Sequence, residues 1–178
     1  VLPLYLKAFI STTHEFAKQF KGGKRQHLWA AKDMRKDLRT MIWLLETASN
    51  ECLMHPKAGR QRAPPVTGDA RGGGKAAGAY VTPHGLKWWL YKAGMKKKHI
   101  NILECQVLEE YLLDNAAYQQ NQILPYYGDN SVSISCLRRG RSRSKVLNDM
   151  VQRILIICYQ HDIYLELTLI PSKTNVLA

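Results

Sequence analysis

The apolar positions of this chain change their period partway along. In residues 1–20, after Pro3, Leu4, Leu6, Phe9, Phe16 and Phe20 predict a helix. In residues 29–54 the apolar set Trp29, Met34, Leu38, Met41, Ile42 and Leu45 predicts a long amphipathic helix, with Lys32, Arg35, Lys36 and Arg39 on its polar side. Lys21-Gly-Gly-Lys-Arg25 reads as a basic loop, and residues 55–65, rich in Pro and Gly, read as a linker. We place the domain boundary there, with a helical segment over 1–62 and a second domain over 63–178. No internal repeat is visible.

Past the linker the pattern changes. Strands are expected at Val66–Ala70, Ala77–Thr82 and Gly85–Tyr91, the first two joined by an Arg71-Gly-Gly-Gly-Lys75 turn. In the third strand Leu86, Trp88 and Leu90 alternate with Lys87, Trp89 and Tyr91, so the two tryptophans fall on opposite faces and one belongs to the core. Ala93–Lys98 reads as a basic turn. A helix is expected over 103–120, with Leu103, Val107, Tyr111 and Leu112 on one face, then a fourth strand at Ile123–Gly128. A short helix at Asn130–Leu137 and a helix over 145–161 (Leu147, Met150, Val151, Ile154 and Cys158 inward) lead to a fifth strand from Ile163 to Leu169. The order β-β-β-α-β-α-α-β puts three antiparallel strands into a mixed sheet through crossover helices. An RNase H-like mixed five-stranded sheet fits this order, whereas a doubly wound fold needs strands and helices to alternate from the start.

Charge adds a partner class. The chain has 178 residues, 26 Lys/Arg against 14 Asp/Glu and a net charge of +12. Residues 1–98 hold 19 Lys/Arg against 6 Asp/Glu, while residues 99–178 hold 7 against 8. A polyanionic partner, nucleic acid before a membrane surface, follows from the excess, with a plain solvated face as the alternative. No apolar run approaches the ~18 residues of a membrane span, and the first residues, Val1-Leu-Pro-Leu-Tyr-Leu-Lys7, lack the features of a secretory leader. The absence of an initiator Met predicts a piece of a longer protein. Cys52, Cys105, Cys136 and Cys158 are scattered, as in a reducing compartment, so an intracellular location (cytoplasmic or nuclear) is expected. Two C-x-x-H pairs, Cys52/His55 and Cys158/His161, lie far apart, and Cys158 continues an apolar helix stripe. A buried free cysteine is therefore expected rather than zinc.

Three carboxylates stand at telling places in this order. Asp69 lies on or at the end of the first strand, Glu104 in the first turn of the first long helix, and Asp129 at the end of the fourth strand. In such a sheet these places converge on one edge. Clustered carboxylates repel, and hard oxygen ligands without Cys or His suit Mg²⁺ or Mn²⁺. Two such ions ~4 Å apart activate water and stabilise a leaving oxygen in phosphodiester hydrolysis. Each carboxylate also has a structural alternative. Asp69 can form the turn before Gly72, Asn101 and Glu104 can form a capping box, and Asp129 can cap the next helix. Hydrated metal makes a His base unnecessary, so His99 and His161 are expected to be structural. Gly72-Gly-Gly-Lys75 is not a phosphate-binding loop, because G-x-x-x-x-G-K-S/T needs Gly at 69 and Ser or Thr at 76, where this chain has Asp and Ala.

Thr67-Gly-Asp69-Ala, Ile100-Asn-Ile-Leu-Glu104 with Val107 to Leu113, Tyr127-Gly-Asp129-Asn-Ser-Val and Leu169-Ile-Pro-Ser-Lys-Thr-Asn-Val-Leu-Ala178 together resemble the RNase H domain of a retroelement reverse transcriptase. Among these the chain is most similar to the DIRS-like tyrosine-recombinase retrotransposons. The resemblance covers residues 63–178. Residues 1–62, with Trp29 and Asp37-Leu-Arg-Thr-Met-Ile-Trp43-Leu, resemble the segment joining polymerase and RNase H modules. Two departures stand out. The first hairpin, Asp69 to Ala79, is about two residues longer than the family's. The family's last carboxylate directly follows the final Ala, so this chain, ending at Ala178, carries three of four expected ligands.

The resemblance implies a metal-dependent endonuclease that cleaves the RNA strand of RNA–DNA hybrids with two Mg²⁺ or Mn²⁺ ions, next to a polymerase domain of the same polyprotein. Asp69 would bridge both ions, Asp129 would hold metal, and Glu104 would ligate one ion and help position the RNA 2′-hydroxyl, which separates RNA from DNA. Asn130 and Ser131 would bond the substrate backbone, with helix capping as the alternative. Lys96, Lys97, Lys98, Arg138, Arg139, Arg141 and Arg143 would grip phosphates, with a solvated loop as the alternative. Asn175 stands where the family places a polar residue near the active edge. The longer hairpin and the three-carboxylate count motivate the competing reading, a catalytically inactive RNase H-like module that binds nucleic acid or scaffolds a larger complex. An RNase H-fold DNA nuclease or integrase is a third.

Overall fold

The computed structural model describes residues 10, 32–47 and 59–177. The helix expected over 1–20, the basic loop at 21–25, Trp29, the Cys52/His55 pair and Ala178 lie outside the described residues. The backbone divides into two compact units, Val1–His55 and Pro56–Ala178.

In the first unit a helix, α1, spans Lys32–Thr47. The helical repeat is as expected, but the buried stripe is not. Asp37 and Leu44 are buried, while Leu38, Ile42 and Leu45 are exposed. Which line of an amphipathic helix is covered depends on its neighbours, and the repeat does not encode them.

The second unit is built on strands β1 (Val66–Arg71), β2 (Ala77–Thr82), β3 (Gly85–Leu90), β4 (Ile123–Gly128) and β5 (Tyr164–Leu169), in the spatial order β3-β2-β1-β4-β5. β1–β2 and β2–β3 are antiparallel, and β1–β4 and β4–β5 are parallel. The short connections explain the antiparallel pairs. At the first, Gly73 takes φ +89° and its carbonyl accepts from Ala76 N at 3.1 Å. The parallel pairs need crossovers, and helices supply them: α2 (Ala93–Lys96) and α3 (Ile100–Asn115) between β3 and β4, then α4 (Ser131–Arg139) and α5 (Lys145–Gln160) between β4 and β5. The expected basic turn at 93–98 thus contains one helical turn. The helix expected over 103–120 begins three residues earlier and ends in a 3₁₀ turn at Ala116–Tyr118.

α3 is the centre of the core. Leu103, Cys105, Val107, Leu108, Tyr111 and Leu112 are all buried, so it is covered on more than one side. It packs on β1 and β2 and against α5, whose Leu147, Met150, Val151, Ile154 and Cys158 are buried. Arg153 on α5 forks onto Glu109 of α3, Nη2 to Oε2 at 3.1 Å. Cys105, Cys136 and Cys158 are free and buried. Residues ahead of β1 are tied to the far end of the sheet. The guanidinium of Arg60 reaches the Asp162 carboxylate at 2.6 Å, Ala63 N donates to Ile123 O at 2.8 Å, and Arg62 pairs with Glu166.

Close approach of α3 and β4 to β1 depends on Gly68. A Cβ there would run into Tyr126 Oη and stand 2.8 Å from Val107 Cγ1. Tyr126 is buried and cannot swing away. Gly68→Ala is therefore expected to destabilise the domain by about 1–3 kcal/mol, the usual cost of overpacking, read as a lower chemical-denaturation midpoint.

Candidate metal centre

Asp69 is the fourth residue of β1 and continues in the ladder, its Cα opposite Ala79 of β2. It is a strand residue, so the turn-forming alternative falls. Asp129 follows the last residue of β4, which runs parallel to β1 with Tyr127 opposite Thr67. That register brings Asp129 level with Asp69. Asp129 is not the cap of the next helix. Asn130 is, its Oδ1 accepting from Ser133 N at 2.9 Å. Glu104 comes from α3, which lies against β1. The helix starts at Ile100 with His99 as its cap, Nδ1 accepting from Asn101 N at 3.3 Å. The capping-box alternative therefore falls as well: Glu104 sits in the second turn, and its Oε1 accepts from Ala70 N at 3.2 Å.

Oxygens from Asp69, Glu104 and Asp129 all lie within 4.8 Å of one another. Among the described residues this is the only group of three His, Cys, Asp or Glu side chains so placed, and no Lys or Arg pairs with any of them. The consequence is visible in their protonation. Glu104, buried and facing Asp69 and Asp129, has its pKa pushed up to about 8. Burial and the Asp129 charge also raise that of Asp69. A carboxyl group pushed this far up beside other carboxylates marks a site of uncompensated negative charge. An all-oxygen set of this kind fits a hard divalent cation.

Behind the carboxylates a polar network joins the starts of α3 and α4. Asn130 Nδ2 donates to Asn101 Oδ1 at 3.0 Å, and Ser133 Oγ donates to Asn101 O at 2.9 Å. Tyr91 Oη donates to Leu103 O at 2.9 Å, holding α3 beside the site. Asn101 is expected as the helix cap, and nothing in the sequence assigns Asn101 or Ser133 to this network. Their signal is only that each stands within four residues of a cluster carboxylate.

The other expected site residues are spread around the unit. Ser131 opens α4 and is exposed. Lys97 and Lys98 are exposed ahead of α3, and Lys96 ends α2. Arg138 and Arg139 belong to the last turn of α4 rather than to a loop. Arg138 Nη2 donates to Leu167 O of β5 at 2.7 Å, and Arg139 reaches Cys136 Sγ. Arg141 and Arg143 are exposed beyond the Gly140 cap, with no ion pair among the described residues. Asn175 is buried, its Oδ1 accepting from Leu177 N at 3.1 Å. His161 closes α5. No helix among the described residues is long and apolar enough to cross a membrane.

No protein-family profile matches the chain, and no curated protein matches it. Solved structures do. RNase H1 from the halophilic archaeon Halobacterium salinarum NRC-1 is similar at TM-score 0.52 and 17% identity, over 63% of this chain and 88% of that one. LC11-RNase H1, isolated from compost by a metagenomic approach, is similar at TM-score 0.54 and 14% identity, over 66% of this chain and 91% of that one. The same LC11 enzyme in complex with an RNA/DNA hybrid matches at TM-score 0.53 and 14% identity, over 65% of this chain and 91% of that one. The second unit has the RNase H-like fold.

Proposed function

We propose that this chain is a divalent-metal-dependent endonuclease that cleaves the RNA strand of RNA–DNA hybrids, as the RNase H domain of a retroelement reverse transcriptase of the DIRS-like kind. One observation carries the reading. Three carboxylates from three separate elements meet without a cationic partner among the described residues, on an RNase H-like sheet whose similar solved structure holds an RNA/DNA hybrid. Asp69, Glu104 and Asp129 would hold two Mg²⁺ or Mn²⁺ ions, which when bound supply an activated water and charge stabilisation at the leaving oxygen.

The chain's own residues do the rest. Ala70 N fixes the Glu104 carboxylate, and Glu104 would help position the 2′-hydroxyl of the RNA strand. The bonds among Asn101, Asn130 and Ser133 set the start of α4, and with it Asp129, against α3. Arg141, Arg143, Lys97 and Lys98, exposed and cationic, hold phosphates of the hybrid and set its register without reading sequence. Lys96, Arg138 and Arg139 add to that field, and Ser131 offers a hydroxyl to the backbone. Residues 1–62 would join this domain to the polymerase domain of one polyprotein, inside the cell.

The test is cleavage of a labelled RNA–DNA hybrid with Mg²⁺ or Mn²⁺, beside a hybrid carrying a single 2′-deoxynucleotide at the preferred cut. Cutting of the first and sparing of the second is expected. Equal cutting of both would point to a DNA nuclease of this fold. Salt-sensitive hybrid binding without cutting, and without a Mn²⁺ site by calorimetry, would favour the inactive binding or scaffolding module.

A further inference from the structure

The face of the sheet that carries Asp69 continues beyond it. Directly opposed residues of paired strands share a face. One row therefore runs from Asp69 through Ala79 to Trp88, and the next from Arg71 through Ala77 to Leu90. Leu86, opposite Val81, completes the outer line on the edge strand β3. These edge side chains are exposed: Leu86 by 58%, Trp88 by 64% and Leu90 by 63%. On the opposite face of the same strand Lys87 is exposed and Trp89 is half-buried. Trp89 packs edge-on against Tyr80 at 6.1 Å and Tyr91 at 6.0 Å, over Gly78, where a Cβ would stand 2.6 Å from the indole. Of the two tryptophans Trp89 is the half-buried one, held by these ring contacts, and among the described residues Trp88 makes no ring contact.

Between Trp88 and Asp69 the floor is alanine. Ala77 and Ala79 leave a shallow trough along β2, walled by Trp88 and Leu90 on one side and by Asp69 and Arg71 on the other. Strands lie about 4.8 Å apart, which puts Trp88 about 10 Å from Asp69 across the sheet. Arg71 is exposed and unpaired among the described residues. An aromatic plane, a small-residue floor and a free guanidinium thus adjoin the carboxylate cluster on one surface.

We propose that Trp88 is a stacking platform for an unpaired nucleotide of the nucleic acid bound at the carboxylate cluster, with Arg71 holding a neighbouring phosphate. The proposal rests on the reading of that cluster as a nucleic-acid site. A strand whose phosphate lies at Asp69 reaches the trough within the span of about one or two nucleotides. Inside a duplex the base faces are already stacked on one another, so only an unpaired base offers its plane to an indole. The substrate that fits is a hybrid with a single-stranded extension beside the cleavage site.

The test uses the full chain without divalent ions. Binding of a blunt RNA–DNA hybrid is compared with binding of the same hybrid bearing a short single-stranded extension, by fluorescence anisotropy at fixed salt. The extension is expected to tighten binding by roughly tenfold, the order of one stacked base. Trp88→Ala is expected to lose that gain while leaving blunt-hybrid affinity unchanged, and Trp88→Phe to keep most of it. An equal gain in Trp88→Ala, an equal loss on both hybrids, or no nucleic-acid binding at all would overturn the proposal. So would self-association of the wild type in analytical ultracentrifugation that Trp88→Ala abolishes, since the face would then belong to a second copy. Because the readout needs no cleavage, the two readings fail separately. A Trp88-dependent gain in a chain that does not cut overturns the nuclease alone, and cutting without the gain overturns the platform alone.

Discussion

Asp129→Asn is expected to reduce hybrid cleavage by at least about a thousandfold while leaving the fold intact. The carboxylate is one of three whose oxygens lie within 4.8 Å, and it enters no ion pair among the described residues. The cap of α4 belongs to Asn130, so the substitution removes no structural bond at the helix start. An amide keeps the shape and one oxygen but loses the charge that holds a divalent ion. Metal ions supply several kcal/mol of transition-state stabilisation, and ~4 kcal/mol corresponds to about a thousandfold in rate. Measured together, cleavage and the Mn²⁺ isotherm should both collapse while the melting temperature holds. Undiminished cleavage would remove Asp129 from the catalytic set and with it the observation on which the nuclease reading stands.

The second large effect is on stability and needs no substrate. Glu104 has a folded-state pKa of about 8 against an ordinary 4.5. Between those values the folded chain holds a proton that the unfolded chain has released, so stability falls as pH rises through that window. Asp69, also raised, contributes in the same direction. The metal-free protein is expected to lose roughly 3 kcal/mol between pH 5 and pH 8, at about 1.4 kcal/mol per pKa unit, reduced for residual solvent access. Glu104→Gln keeps an acceptor for Ala70 N and removes the titration. It should flatten the pH profile and exceed the wild type in stability at pH 8. Millimolar Mn²⁺ should reverse the ranking by stabilising the wild type and not the variant. Denaturant melts at pH 5, 6.5 and 8 provide the check, and a wild-type stability indifferent to pH would show that the carboxylates are not crowded as described.

Most of the framework is legible in the residue pattern. The strand limits at Ala77–Thr82 and Ile123–Gly128 match the expected ones, the fifth strand follows from two-residue alternation, and α5 follows from a clean helical stripe. The start of α3 was less legible. Asn101 is a good cap in isolation, but His99 takes that place and Asn101 turns to Asn130 and Ser133, 29 and 32 residues away. No local preference carries information about a partner so distant in the chain.

The same division holds for the site. Three carboxylates at the ends and starts of successive elements, a basic first half and the strand-helix order are properties of the sequence, because they depend only on residue type and local period. Their convergence to within 4.8 Å, the lack of a cationic partner among the described residues and the raised pKa of Glu104 are set by tertiary structure. They arise from the parallel pairing of β1 with β4 and the close seat of α3 on Gly68. The tryptophans show the limit most clearly. Alternation puts Trp88 and Trp89 on opposite faces, but it is the same for either choice of inner face. Only the packing of Tyr80, Tyr91 and α3 on one side of the sheet decides that Trp89 is half-buried and Trp88 is left exposed on the face that carries Asp69.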